Sequence, residues 1–353
     1  MLFRSMIDYI IVGSGLAGIA FAETALNNNK SIFVIDSNTN SSSKVAAGLY
    51  NPVILKRFTP ILNAQEQLQE LTLFYKQLEN KLGCQLDFKK PILRKFFSIE
   101  EQNNWFVASD KTELAPFLST KLITEKIKGL DSPFDFGEVQ QTGYVDVALL
   151  LQKYKAFLSE NNLFLNESFD YSILKSNPNG IEYKNIKAKH IVFAEGFGLH
   201  SNPFFNHLAL DGTKGELLII KAPELDLNVI VNTSVFIIPL GNNLFKVGAT
   251  YNWEDKTNTP TEEGKQELTD RIKEILTCDF EIVSHFAGVR PTVKDRKPLI
   301  GTHNIYKNIH VLNGLGTRGV MLGPVMAKLL YESIELGTPI PRDINIERYE
   351  RKK

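Results

Sequence analysis

Gly13, Gly15 and Gly18, with Ser14, Leu16 and Ala17 between them, spell GxGxxG near the start of the chain. In such a run the first glycine permits a tight turn and the second lets backbone approach a pyrophosphate. The third lets a helix pack closely on a strand. A helix opening there turns free N–H groups and its positive dipole end toward phosphate. Asp36, closing the next apolar run Ser31 to Asp36 and followed by Ser37, suits a ribose hydroxyl and would repel a 2′-phosphate. A strand before the glycines, a helix after them and an acid on the next strand make this a dinucleotide site. The fingerprint alone does not separate FAD from NAD.

Arg290 is the second residue with a chemical task, lying between Val289 and Pro291 after a run that reads as a strand entering a turn. A guanidinium fork makes two parallel hydrogen bonds to a carboxylate, so substrate anchoring is one reading and a structural arginine pairing with Asp295 or a backbone carbonyl is the other. Tyr50 and Tyr251 are candidate cleft phenols, able to pack on a ring and still hydrogen-bond. The six histidines show no HxxxH or HxH spacing, His285 reads as structural, and no metal site is expected.

The elements that must hold these residues follow from periodicity. Tyr9 to Val12 reads as a buried strand, Gly15 to Leu26 as a helix and Ser31 to Asp36 as a second strand, which requires parallel pairing through a right-handed crossover. Helical spacing runs from Ala64 to Leu82, with Gly83 at the C′ position, and Asp146 N-caps a helix running through Leu158. Ile191 to Ala194 is another strand. Lys214 to Tyr251 is strand-rich, with Gly241-Asn242-Asn243 as a turn, and Val320 to Leu336 is a helix ended by Gly337. Ser37 to Ser43 reads as a polar loop and Arg348 to Lys353 as a solvated tail.

Composition sets the outer limits. The 353 residues are 43% hydrophobic, which allows two domains with filled cores. Forty basic residues balance forty acidic ones, so no global field favours nucleic acid or membrane. Cys84 and Cys278 are far apart and outside any CxxC pair, which excludes a disulfide scaffold and fits a reducing compartment. Arg4 and the apolar stretch Ile10 to Ala22 resemble a signal peptide, but Asp8 and the glycines interrupt it, so a strand entering a helix and a cytoplasmic location are expected. No run approaches the roughly 18 apolar residues of a membrane span.

Further strings occur in a recognisable order: Ser43 to Leu49 (SKVAAGL), Ile191 to Gly198 (IVFAEGFG), Lys214-Gly215-Glu216 and Gly248-Ala249-Thr250. Gly288 to Pro291 with Asp295 and Pro298 to Gly301 follow, and then Gly314 to Gly319 (GLGTRG). Together they resemble the D-amino-acid oxidase family of FAD-dependent oxidoreductases, which includes glycine and sarcosine oxidases. Gly48-Leu49-Tyr50 and Gly316 to Gly319 are also similar to the FAD-dependent oxidase domain of the bifunctional enzyme that modifies wobble uridine in tRNA.

The resemblance implies an α/β protein, α+β overall, whose Rossmann-like FAD domain (residues 1–84, 144–210 and 286–353) is interrupted by an antiparallel-sheet substrate domain (85–143 and 211–285). It places Ala46, Ala47 and Gly48 under the isoalloxazine ring and Glu195 and Gly196 in the cofactor site. Gly314, Gly316, Thr317, Arg318 and Gly319 fall at the flavin pole that gains negative charge, with Arg318 open between substrate, flavin and surface roles. Relatives that attach flavin covalently do so through a histidine where this chain has Val45, so noncovalent FAD is implied. The expected activity is oxidation of the C–N bond of an amine or amino acid by hydride transfer to flavin N5. Rival readings are the tRNA-modifying oxidase, an NAD-dependent dehydrogenase and a non-catalytic flavin carrier. Substrate identity, electron acceptor and oligomeric state are not legible.

Overall fold

The computed structural model describes residues 6–37 and 42–349, so Arg4, part of the Ser37 to Ser43 loop and the last four residues lie outside the described residues. The apolar stretch near the N-terminus folds as the strand Ile7–Val12 and the helix Leu16–Asn27, nearly all of it buried. That strand pairs in parallel with Ile32–Ile35 on one side and with Ile186–Phe193 on the other. Phe164–Leu165 extends the parallel sheet beyond the first neighbour, and Ile309–Asn313 extends it beyond the second. The carboxyl ends of these strands therefore gather Gly13, Asp36, Glu195 and Asn313 along one edge of the sheet. A ligand of an open α/β sheet binds at such an edge.

The helices behave as their sequences require. Ala64–Leu82 ends on Gly83 in the left-handed region, with φ 63°. Asp146 caps Val147–Glu160 by accepting from the Leu149 N–H. The helix Gly319–Leu336 stops at Gly337, with φ 71°. The first and last helices pack together, joining the apolar residues Ala17, Ala20, Val320 and Ala327 in one core.

A second eight-stranded sheet lies between the segments of the first. Its order begins Glu281–Arg290, Thr213–Lys221, Leu244–Gly248, Phe236–Gly241, Ile230–Asn232, Ile92–Lys95, and every neighbouring pair but the last of these is antiparallel. Asn242 and Asn243 close the hairpin with φ 52° and 59°, which is what a two-residue hairpin turn of this hand demands. The helix Glu262–Lys273 covers the face carrying Glu216, and the opposite face carries Gly215 and Leu217 toward the first sheet. Two helices were not anticipated, Ile99–Ser109 and Glu262–Lys273.

Two sequence expectations need correction. The C-terminal stretch is not simply a solvated tail: Arg348 and Tyr349 both hydrogen-bond Asp295 at 2.9 Å. Asp295 is thereby committed, so it is not the partner of Arg290. Ser42–Val45 is a 3-10 turn rather than plain loop. Neither Cys84 nor Cys278 is in a disulfide. Among the described residues, no helix is long and apolar enough to cross a membrane.

Candidate active site

A cavity of about 1010 Å³ runs from the edge of the first sheet to the inner face of the second. Its dinucleotide end is built by two close backbone approaches. A Cβ on Gly13, whose φ is +101°, would lie 2.4 Å from the Ala194 carbonyl oxygen, and one on Gly18 would lie 1.9 Å from the Gly13 oxygen. Only bare backbone lets turn, helix and strand meet this closely. Ser14 donates to Asp36 Oδ2 from both its N–H (2.8 Å) and its hydroxyl (2.5 Å), fixing the acid beside the glycine turn. The N-cap residue Gly15 gives the helix starting at Leu16 no side-chain cap and no acid sits in its first turn; Ser43 Oγ accepts from the Leu16 N–H at 3.2 Å, and the remaining N-terminal charge is left for a phosphate. These residues fit a flavin adenine dinucleotide: a small-residue cradle, a helix end with no acid in its first turn and a carboxylate for the ribose.

Gly15, Leu16, Ala17, Ser37, Ala46, Ala47, Gly48, Tyr50, Glu195, Gly196, Gly316, Thr317, Arg318 and Gly319 line this cavity as well. Gly18 and Gly314 do not; Gly18 serves helix packing, and a Cβ on Gly314 would meet Val293 and Leu299. Glu195 turns its carboxylate to Tyr171 and Asn202, the latter donating at 2.7 Å, and burial pushes its pKa up to about 7. The two bonds tie the strand end to its neighbours. Val45, which also lines the cavity, packs its Cγ2 onto the bare backbone of Gly288, where an added Cβ would come within 2.5 Å.

At the pole near the last helix, Gly316 donates its N–H to Pro291 O at 3.1 Å and Asn313 Nδ2 donates to Gly196 O at 2.9 Å. These bonds hold the 316–318 turn rigid at the uncapped start of Gly319–Leu336. Arg318 lies at that start, and burial lowers its pKa.

Arg290 stands on the second sheet. Its Nη1 donates to Lys214 O and Thr250 O, both at 3.3 Å, and its guanidinium carbon lies 4.6 Å from the centre of the Tyr251 ring. Gly215 makes room for it, since a Cβ there would fall 1.8 Å from Nη2. Among the described residues no carboxylate pairs with Arg290, and burial lowers its pKa. A desolvated cation satisfied only by carbonyls and a ring favours an anion beside it. Tyr251 is 62% exposed and stands at the mouth, whereas Tyr50 is buried with its hydroxyl committed to Asp87 Oδ1 at 2.8 Å. His285 contacts Glu216 at 2.7 Å on the covered face of the sheet, away from the cavity.

Sequence reading did not single out Leu217, Asn232, Phe236, Lys256 or Asn258, which line the same cavity. Lys246 was missed too; its amine lies 3.5 Å from Ala46 O and burial lowers its pKa. Strand parity could have found Leu217, two residues beyond Gly215. The others depend on which strands become neighbours.

Comparison with known proteins bears on the family and the fold. The family model described as "DAO: FAD dependent oxidoreductase" matches residues 8–333. The glycine oxidase of Bacillus subtilis is 23% identical over 364 residues, covering 93% of this chain and 92% of that one. The tRNA 5-methylaminomethyl-2-thiouridine biosynthesis bifunctional protein MnmC of Idiomarina loihiensis is 25% identical over 157 residues, 41% of this chain and 25% of that protein. The crystal structure of glycine oxidase from Geobacillus kaustophilus superposes with a TM-score of 0.75 at 18% identity, over 95% of this chain and 96% of the other. The cofactor choice that the glycine fingerprint left open is thereby settled as FAD. The chain belongs to the DAO family of FAD-dependent oxidoreductases.

Proposed function

We propose that this enzyme oxidises the C–N bond of a carboxylate-bearing amine. The carbon next to nitrogen gives up a hydride, the nitrogen gives up a proton, and water hydrolyses the resulting imine to an amine and an oxo acid. Bound FAD supplies the hydride acceptor, its N5. The observation that carries the reading is Arg290, a half-buried arginine that has no carboxylate partner among the described residues and faces the cavity that holds the glycine cradle.

Each of the chain's own groups then has a task. Arg290 grips the substrate carboxylate, held in place by the carbonyls of Lys214 and Thr250. Orientation of the reacting carbon is the main contribution such a clamp makes to rate. Tyr251 packs on the outer face of the guanidinium and screens it from water. The 316–319 turn, with a helix dipole behind it, favours negative charge at the pole beside it. No general base is required when the amine arrives deprotonated. The cofactor is held without a covalent bond, since Val45 offers no nucleophile where its Cγ2 packs on Gly288.

The names of the relatives support the substrate class: glycine oxidase for an amino acid, and MnmC for an amine carried on tRNA. The small amino compound is the preferred reading, because the balanced net charge gives tRNA no general attraction. Anaerobic flavin bleaching, screened over amino acids, N-substituted glycines and modified nucleosides, tests this directly. Bleaching by carboxylate-bearing amines is expected, and bleaching only by nucleosides would replace this reading. FAD should leave the chain on denaturation, and yellow colour retained on the unfolded protein would overturn the noncovalent assignment.

A further inference from the structure

Beside Asn232, which lines the cavity, a second arginine is engaged by hydrogen bonds. Arg94 reaches Glu101 Oε1 with Nε at 3.0 Å and Nη2 at 2.6 Å, and its Nη1 donates to Asn232 Oδ1 and Thr233 O, both at 2.9 Å. Glu101 is held in turn by the Phe97 N–H at 2.9 Å. A guanidinium can only donate, so this network decides which way the Asn232 amide points: its oxygen faces Arg94. The NH2 group is left over. It has no acceptor among the described residues and is not fully buried, and Asn232 lines the cavity.

Strand register places this amide relative to the clamp. Asn232 is opposite Phe236, Phe236 opposite Gly248, and Gly248 opposite Leu217. Directly paired residues share a face, and Leu217, Phe236 and Asn232 all line the cavity. Arg290 is on the strand beyond Leu217, four strands from Asn232. At about 4.8 Å per strand the two backbones are about 19 Å apart across the sheet, and because Arg290 pairs with Thr213, four residues from Leu217, about 14 Å apart along it, which makes about 24 Å before sheet curvature and side-chain reach are allowed for. Free glycine cannot touch both. The floor between them is apolar.

We infer that Asn232 is a specificity-determining residue that donates to a hydrogen-bond acceptor on the substrate's nitrogen substituent. The inference rests on the proposed carboxylate site at Arg290 and deepens it. The substrate is then an elongated N-substituted amino acid with three parts: a carboxylate at Arg290, an apolar or planar segment over Leu217 and Phe236, and a carbonyl-type oxygen at Asn232. Arg94 and Glu101 are positioning residues that act through the amide.

The test uses two N-substituted glycines that differ only in the acceptor, N-(4-acetylbenzyl)glycine and N-benzylglycine. Both are mixed anaerobically with the FAD-loaded enzyme. Binding is read as perturbation of the flavin absorbance and turnover as bleaching. The wild type should bind the acetyl compound about tenfold or more tightly than its partner. Asn232→Leu should bring that ratio close to one. Asn232→Asp should push it below one, because two acceptors would then face each other. Arg94→Met should lower the ratio through the dissociation constant while the limiting bleaching rate stays as it was, as expected of a positioning residue. Equal binding of both compounds by the wild type, absence of binding by either, or an unchanged ratio in Asn232→Leu would overturn the inference. Discriminating binding without bleaching would sustain it while removing the amine-oxidation reading, so the two failures are distinguishable.

Discussion

Two cations, one buried and one half-buried, stand back to back on the same pair of strands. Lys214 is 1% exposed and faces the covered side of the second sheet, where Asp255, Thr257, Thr259 and Glu216 surround its amine. Arg290 faces the cavity and finds only carbonyls and one aromatic ring; one of those carbonyls belongs to Lys214 itself. Burial costs both charges their hydration. Lys214 recovers it within the fold, and Arg290 does not. The number of counter-ions supplied by the chain thus separates a cation that holds structure from one that awaits a ligand.

The largest expected effect is on the satisfied side. Lys214→Met should leave Glu216 buried without its cation and cost about 3–5 kcal/mol in urea unfolding. The preference for carboxylate-bearing amines should survive in whatever protein folds. A loss below about 1 kcal/mol would erase the contrast, since that is the worth of an exposed pair. Glu195 extends the test to a buried acid whose charge burial opposes. Its pKa is raised to about 7 from an ordinary 4.5, so the folded chain keeps a proton that the unfolded chain releases. Stability should therefore fall by about 3 kcal/mol as pH rises from 4.5 to 7, and then level off. Glu195→Gln should flatten that slope, and an unchanged slope would place the titration elsewhere.

On the unsatisfied side the effects should move from stability to catalysis. Arg290→Lys keeps charge but loses the planar fork, so kcat/KM for an amino acid should fall about ten- to a hundredfold, the worth of one charge-assisted hydrogen bond at roughly 1.5–3 kcal/mol. FAD should stay bound, and an amine without a carboxylate should be much less affected. Equal losses for both substrates would make Arg290 structural. The smallest change is Tyr251→Leu, which removes an exposed cation–π contact worth about 0.5–1 kcal/mol. It should raise KM a few-fold, with Tyr251→Phe retaining most of the wild-type affinity.

Local chemistry was legible in the sequence, and long-range neighbourhood was not. Asp146, Gly83 and Gly337 mark helix ends by capping and backbone freedom, and the GxGxxG turn carries its own phosphate logic, so these features could be read without a partner element. The helix Ile99–Ser109 buries little beyond Trp105 and Ala108, too few contacts for a clear period, although Ser98 and Glu101 do form an N-terminal cap at 3.1 Å. Arg348 looked like tail because Asp295 is 53 residues away in sequence. Asn232 is ordinary in its own strand. Only the register of four neighbouring strands brings it into the cavity of Arg290.

The cofactor cradle joins three distant parts of the polypeptide: the strand Ile7–Val12, the strand Ile186–Phe193 and the strand Ile309–Asn313, whose ends meet around one edge. A ribosome adding about 5–20 residues per second needs roughly 15–60 seconds to pass from the glycine turn to Asn313. For that interval the turn, the first helix and Asp36 have been made while the closing strand and the last helix have not. A complete FAD cradle therefore waits for the closing strand, and until Ile309–Asn313 is made the edge of Ile186–Phe193 that it will cover stays unpaired.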